Sequence, residues 1–180
     1  MRATNTYSLR PAREDEYDVI SSIRADASRM YGASYVARPI PVDFFITHCE
    51  QQNISVAVDR DDNPYGFSLA FCVNRDIYLR HFYVRKDCQR RGLGTKLLTA
   101  VVRRAEREKA RAVTLTTSSS AAWSFFFYKQ HGFNVISKDI PDYLQNDINA
   151  QIRNFSVEVS PFILSCPSLL PRVAMERLVT

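Results

Sequence analysis

Apolar residues recur at helical spacing in two early segments. Over residues 15–29, Tyr17, Ile20, Ile23 and Ala27 share one face, and a second helix over 42–51 opens after Pro41. A short strand over 6–10 precedes them. Residues 54–58 and 65–73 are apolar, β-prone runs joined by Asp59-Arg60-Asp61-Asp62-Asn63-Pro64, which predicts an antiparallel hairpin. Residues 77–84 make a third strand, and 87–92 a polar turn. Over 94–109, Leu97, Leu98, Val101, Val102 and Ala105 form one stripe, with Arg103, Arg104 and Arg107 expected to point away. A strand over 112–117, a helix over 119–130 with Ser at its start, and a strand over 133–137 after Gly132 follow. Residues 139–170 carry a weaker pattern, a helix over 142–154 and then an apolar, Pro-containing stretch. Residues 173–178 read as a final strand.

This alternation implies one α/β domain over residues 1–180. A strand–turn–helix–strand unit at its centre requires a right-handed crossover between parallel strands. At 180 residues the chain can bury roughly 70% of the surface its unfolded form exposes. No apolar run reaches the ~18 residues of a membrane span, and no signal-peptide pattern opens the chain, so the expected location is cytoplasmic, with no membrane partner. Cys49, Cys72, Cys88 and Cys166 form no Cys-x-x-Cys pair, which argues against a disulfide framework or a zinc site.

The net charge of +5 is unevenly distributed. Eleven Lys or Arg and three acids fall between Arg80 and Arg111, a local +8, against −3 for the rest. A nucleic-acid surface and a pocket for one small polyanion both fit that excess. Gln89-Arg90-Arg91-Gly92-Leu93-Gly94-Thr95 lies within it, between strand and helix, and holds two of the five glycines. Glycine there allows positive φ or close backbone approach, and a helix N-terminus presents amides and partial positive charge to a phosphate. Arg90, Arg91 and Lys96 would add mobile charge. A P-loop is absent, and a dinucleotide fingerprint lacks its third Gly, where Leu97 stands. A plain glycine-containing connector remains the bland alternative.

The same turn, through Gln89, Gly92 and Gly94, resembles the acyl-CoA pyrophosphate loop of the GCN5-related N-acetyltransferase (GNAT) superfamily, whose pattern is Gln/Arg-x-x-Gly-x-Gly/Ala. Upstream, Leu79-Arg80-His81-Phe82-Tyr83-Val84 resembles the family's central strand. Downstream, Phe127-Tyr128-Lys129-Gln130-His131-Gly132-Phe133 resembles its second signature. Leu115-Thr116-Thr117, Trp123 and Arg172-Val173-Ala174-Met175 are similar to a small-molecule branch. The likeness covers about residues 7–138 and 171–178, leaving 139–170 as an insertion of unknown role. It departs where the common pattern has Asn seven residues before the Tyr, here Ala121, and where the branch has Asn after the Trp, here Ser124, whose hydroxyl could still make one hydrogen bond.

The resemblance implies a mixed, mostly antiparallel sheet with a central, splayed parallel strand pair flanked by helices. It implies acetyl-CoA as co-substrate, no metal, and a cofactor site of Phe82, Tyr83, Val84, Gln89, Arg90, Arg91, Gly92, Leu93, Gly94, Thr95, Lys96, Ser124, Phe127 and Tyr128. A backbone N–H near Val84 would polarise the thioester, and the Tyr128 phenol, protonated with an ordinary pKa of about 10, would protonate the thiolate. His81, on one strand face with Leu79 and Tyr83, could accept the amine proton directly or through water; a structural histidine is the plainer reading. Cys88 has no His or acid at catalytic spacing. The acceptor site would be walled by residues around 24–45, including the aromatic and polar segment 29–35, and residues 139–170 would cover it or form a homodimer contact. The expected activity is acetylation of a primary amine on a small molecule, with no nucleic-acid partner. A catalytically inactive acyl-CoA-binding module, a protein N-acetyltransferase and a basic nucleic-acid binder using Arg103, Arg104 and Arg107 are the alternatives.

Overall fold

The computed structural model describes residues 7–31, 39–119, 121–158 and 172–179. Its strands are β1 (Ser8–Pro11), β2 (Ile54–Val58), β3 (Pro64–Val73), β4 (Asp76–Val84), β5 (Ala112–Ser118), β6 (Asn134–Val135) and β7 (Arg172–Leu178). Its helices are α1 (Tyr17–Ser28), α2 (Val42–Glu50), α3 (Leu93–Arg107), α4 (Ala122–Gln130) and α5 (Asp142–Glu158). The strands form one mixed sheet in the order β1-β2-β3-β4-β5-β7-β6, with β4 and β5 parallel. The α/β class and the parallel pair thus agree with the sequence pattern. The backbone groups into two compact units, Met1–Cys72 with Leu79–Arg104, and Val73–Tyr78 with Ala105–Thr180.

In the first unit the strands are covered on both faces. Ile20 and Ile23 of α1 and Phe45 of α2 pack with Ile54, Val56 and Val58 of β2 and Phe67 and Leu69 of β3, and Tyr83 joins them from β4. Each such side chain, fully buried, contributes about 2 kcal/mol. On the opposite face Ala57 and Val84 pack with Leu93 and Leu97 of α3, and Phe82 joins that cluster. Because strand side chains alternate, β4 presents His81 and Tyr83 toward the α1/α2 layer and Phe82 and Val84 toward α3.

A buried polar chain crosses this unit. The side-chain amide of Asn53 meets His48 Nδ1 at 3.0 Å, and Asn53 Oδ1 accepts from Arg104 Nη2 at 2.9 Å. Arg104 also donates to the carbonyl of Ala70 at 2.8 Å. The expectation that Arg104 points away with Arg103 and Arg107 is therefore corrected: buried carbonyl and amide oxygens draw it inward. His48 stacks on Phe71 with centroids 4.7 Å apart.

In the second unit β7 pairs antiparallel with β5 along its whole length and with β6 at two positions. The buried Asp76 carboxylate accepts both a bidentate pair from Arg111 (2.9 and 2.8 Å) and the Tyr143 hydroxyl (3.0 Å). β4 starts at Asp76, one residue earlier than its apolar run.

Other boundaries differ for local reasons. Ser119 does not start α4; the helix begins after Ala121, whose carbonyl accepts from Ser124 Oγ at 3.1 Å. β6 is two residues long, ending before the turn in which Asp139 takes a φ of 51°. α5 follows Pro141, whose carbonyl accepts from the Leu144 amide, and runs to Glu158, past the expected end at 154. Of the segment 29–35, residues 32–35 lie outside the described residues, as do residues 159–170 of the insertion.

Burial holds the His48 imidazole below its ordinary value, while in the unfolded chain it protonates near pH 6.5. The unfolded state therefore binds more protons below that pH, and the stability present above it is lost as pH falls through the folded value. The thermal midpoint should drop between pH 7.5 and 5.5, and His48→Gln should make that drop smaller. Glu16 and Asp62, held low by hydrogen bonds from Arg10 despite some desolvation, act only below about pH 4.5, outside this window. Circular-dichroism melts of both proteins check it.

Candidate active site

The turn after β4 is built by local hydrogen bonds. The Arg85 amide donates to the Tyr65 carbonyl (2.9 Å), and the Lys86 amide to Asp26 Oδ2 (3.0 Å). Lys86–Cys88 form a single 3-10 turn, and Gln89 Nε2 then reaches back to donate to the Val84 carbonyl at 3.0 Å. Arg90 and Gly92 take left-handed φ values of 59° and 84°, and Leu93 plugs the core beneath. Arg90, Arg91 and Gly92 are exposed. The Lys96 amide donates to the Gly92 carbonyl at 2.9 Å, so α3 winds directly off this bend. Amides in the first turn of a helix have no intrahelical acceptor and carry about half a positive charge, which suits a diphosphate.

Three of the expected cofactor residues have particular placements here. Gly94 lies within the first turn of α3 and is not left-handed. Thr95 is exposed in the same turn. Lys96 Nζ donates to the Tyr7 carbonyl, so its ammonium is held at the start of β1 rather than swinging over the turn.

On β4, His81 is partly buried with its ring 6.2 Å from that of Tyr83. Burial pushes its pKa well below the usual imidazole value, and the positive charges of Arg24 and Arg80, with His48, act in the same direction. It is neutral at pH 7, able to accept a proton but not to hold it. Arg24 of α1 sits with its guanidinium carbon 5.9 Å from the Tyr83 ring centroid. Gly66 on β3 was not singled out from sequence, yet a Cβ there would stand 2.9 Å from the Tyr83 carbonyl oxygen and 3.2 Å from Val84 Cγ2. Only glycine lets β3 pass so close to the end of β4. A lone Gly inside an otherwise β-prone run was the available signal.

In the second unit α4 ends in a way that fixes Tyr128. Gly132, at φ 83°, reverses the chain, and the amides of His131 and Phe133 both donate to the Tyr128 carbonyl (3.0 and 3.1 Å). Phe133 is thereby buried against the Tyr128 ring, centroids 5.6 Å apart, and Tyr128 is 8% exposed. Phe127 lies against His131 at 4.4 Å. Ser124 Oγ, which donates to Ala121, also lies 3.0 Å from Thr117 Oγ1, so its proton is already committed. Trp123 and Phe126 on the same helix are 46% and 60% exposed. Among the described residues no group of three His, Cys, Asp or Glu is placed to hold a metal ion, and no helix is long and apolar enough to cross a membrane.

The profile described as "Acetyltransferase (GNAT) domain" matches residues 41–143, more than half of the chain. The chain belongs to the GNAT acetyltransferase family. It is an acyltransferase, and acetyl-CoA is its co-substrate. Solved structures share the fold at low identity. PaiA N-acetyltransferase of Thermoplasma acidophilum, in complex with coenzyme A, is 13% identical with a TM-score of 0.69, covering 96% of this chain and 99% of that one. Ribosomal-protein-S18-alanine N-acetyltransferase of Escherichia coli is 15% identical, TM-score 0.67, covering 97% and 95%. N-acetylglutamate synthase of Neisseria gonorrhoeae, complexed with coenzyme A and N-acetyl-glutamate, is 15% identical, TM-score 0.69, over 97% of this chain. The present chain spans 35% of that synthase's length.

For a GNAT acetyltransferase the turn at 89–95 gives a direct test. A Cβ on Gly92 would meet nothing within 4 Å, so the obstacle to a side chain is the backbone conformation and not space. Gly92→Val should weaken acetyl-CoA binding at least tenfold, because holding a β-branched residue in the left-handed region costs roughly 1–2 kcal/mol, and relieving that strain moves the amides that follow. Gly94→Val, at a helical φ, should cost less. Calorimetric titration with acetyl-CoA compares them, and equal affinities in all three proteins would remove the turn from the binding site.

Proposed function

We propose that this acetyltransferase transfers the acetyl group of acetyl-CoA to a primary amine on a small molecule, by direct attack in a ternary complex, and that residues 1–180 act as one N-acetyltransferase domain. The observation that carries this reading is the exposed bend of Arg90 and Gly92 running into α3, anchored through Gln89 to the end of β4. It supports a cofactor site formed from Phe82, Tyr83, Val84 and residues 89–96; the parts given to Phe127 and Tyr128 are proposals that follow from the family's second signature and are tested below.

In this scheme the amine nitrogen attacks the thioester carbon and the carbon–sulfur bond breaks. A main-chain N–H near Val84 polarises the carbonyl as its oxygen gains charge. The Tyr128 hydroxyl gives its proton to the departing thiolate, and the nitrogen loses one to His81 or to water. The Tyr128 phenolate then regains a proton from solvent, leaving amide and free thiol as products. Alignment of the two substrates supplies much of the acceleration. The engaged hydroxyl of Ser124 favours one second reading, an acyl-CoA-binding module without turnover, since the position offers the cofactor a lone pair but no proton.

Thiol release measured with an amine panel separates these readings. Tyr128→Phe should lower kcat about a hundredfold or more with the acetyl-CoA Kd unchanged. Retention of full activity would dismiss the phenol as the acid, and acetyl-CoA binding by the wild type without transfer to any amine would leave the module reading. Because His81 is held well below its ordinary value, wild-type kcat at saturating amine should show no loss from His81 protonation down to about pH 6.5 and should fall only in more acidic buffer. His81→Gln should lower the plateau and abolish the acid limb. An identical profile would return His81 to a packing role.

A further inference from the structure

We propose that the face of α1 bearing Ser21, Arg24 and Ser28 is a subsite for a carboxylate on the acetyl acceptor, so that the acceptor is an aminocarboxylate and not a simple amine. The inference rests on the acetyl transfer proposed above and names its substrate class. These residues stand at i, i+3 and i+7, one face of the helix. Ser21 Oγ, Arg24 Nε and Ser28 Oγ are all buried without a hydrogen-bond partner among the described residues, and Ser28 is only 1% exposed. Serine inside a helix ordinarily bonds back to the carbonyl four residues earlier, and neither of these does. A buried polar atom left unpaired destabilises a fold, and three on one face mark a place where another molecule supplies the partners.

The charge of the missing partner follows from the guanidinium. No acid within ion-pair distance accompanies Arg24 among the described residues. The neighbouring Asp26 is engaged by the Lys86 amide at 3.0 Å and lies 4.0 Å from Arg29. Arginine has donors only, so its complement is an oxyanion, and its planar fork matches a carboxylate in two-point contact. One guanidinium with two neutral hydroxyls balances a single negative charge, which fits a carboxylate better than a phosphate dianion. The location is suitable as well. Arg24 lies beside the Tyr83 ring, on the His81 face of β4 and at the end of the strand that the 89–95 turn follows. A ligand gripped there by its carboxylate would carry its amine along that face.

The test compares amino acids with the amines that lack only the carboxylate, using the full chain and acetyl-CoA and reading thiol release. Wild type should show a kcat/KM at least tenfold higher for the carboxylate-bearing member of each pair. Arg24→Gln should raise KM for that member about ten- to hundredfold and collapse the ratio within each pair toward one. Arg24→Lys should restore part of it, and Ser28→Ala should reduce it less than Arg24→Gln. Melting temperatures of the variants establish that they fold. Equal use of both members by wild type, or an unchanged ratio in Arg24→Gln, overturns the subsite while leaving acetyl transfer intact. Should no amine be acetylated at all, calorimetry with N-acetyl amino acids and with N-acetyl amines, in the presence of CoA, still decides. Binding of the former alone, lost in Arg24→Gln, upholds the subsite without turnover, and binding of neither or of both alike overturns it.

Discussion

The side-chain amide of Gln89, donating to the carbonyl of Val84, fixes the relation between a strand and the helix that follows it. Without that clamp the exposed bend through Arg90 and Gly92 would be an ordinary connector, free to sample many conformations at high entropic cost on binding. With it, the end of β4 and the start of α3 are held as one element, and the helix amides keep a fixed aim. Leu93, buried beneath the bend, and Asp26, reaching from α1 to the Lys86 amide, brace the same point from either side. The binding chemistry proposed for this bend is thus main-chain chemistry, in which Gln89, Leu93 and Asp26 act by holding backbone in place.

β4 serves two chemistries because its side chains alternate. Phe82 and Val84 join the apolar cluster with Leu93 and Leu97, while His81 and Tyr83 turn toward α1 and α2. On the second of these faces His81, His48 and Arg24 lie among aromatic rings. Burial first, and the positive charges of Arg24 and Arg80 after it, keep this imidazole unprotonated, the form that its proposed role as proton acceptor requires.

Much of this was legible in the sequence. The period of 3.6 in α1 and α3, the Asp/Asn/Pro turn between β2 and β3, and the left-handed Gly92 in the turn after β4 each follow from local chemistry and appear as expected, whereas Gly94 is helical. What was not legible depends on partners distant in the chain. Arg104 continues the spacing of exposed basic residues, and only the Ala70 carbonyl and the Asn53 side chain turn it inward. Ser119 has the right chemistry for a helix cap, yet the helix starts at Ala122. Gly66 looks unremarkable until the Tyr83 carbonyl stands 2.9 Å from where its Cβ would be. Arg24 and its two serines look like the polar side of an amphipathic helix, and only their burial without partners sets them apart.

The chain contains a single tryptophan, and it lies half-exposed on α4, five residues before Tyr128. Indole emission responds to the polarity around it, so every photon excited at the red edge of protein absorbance originates from this one helix. The protein therefore carries its own optical probe of the Tyr128 helix, with no dye or label to perturb it.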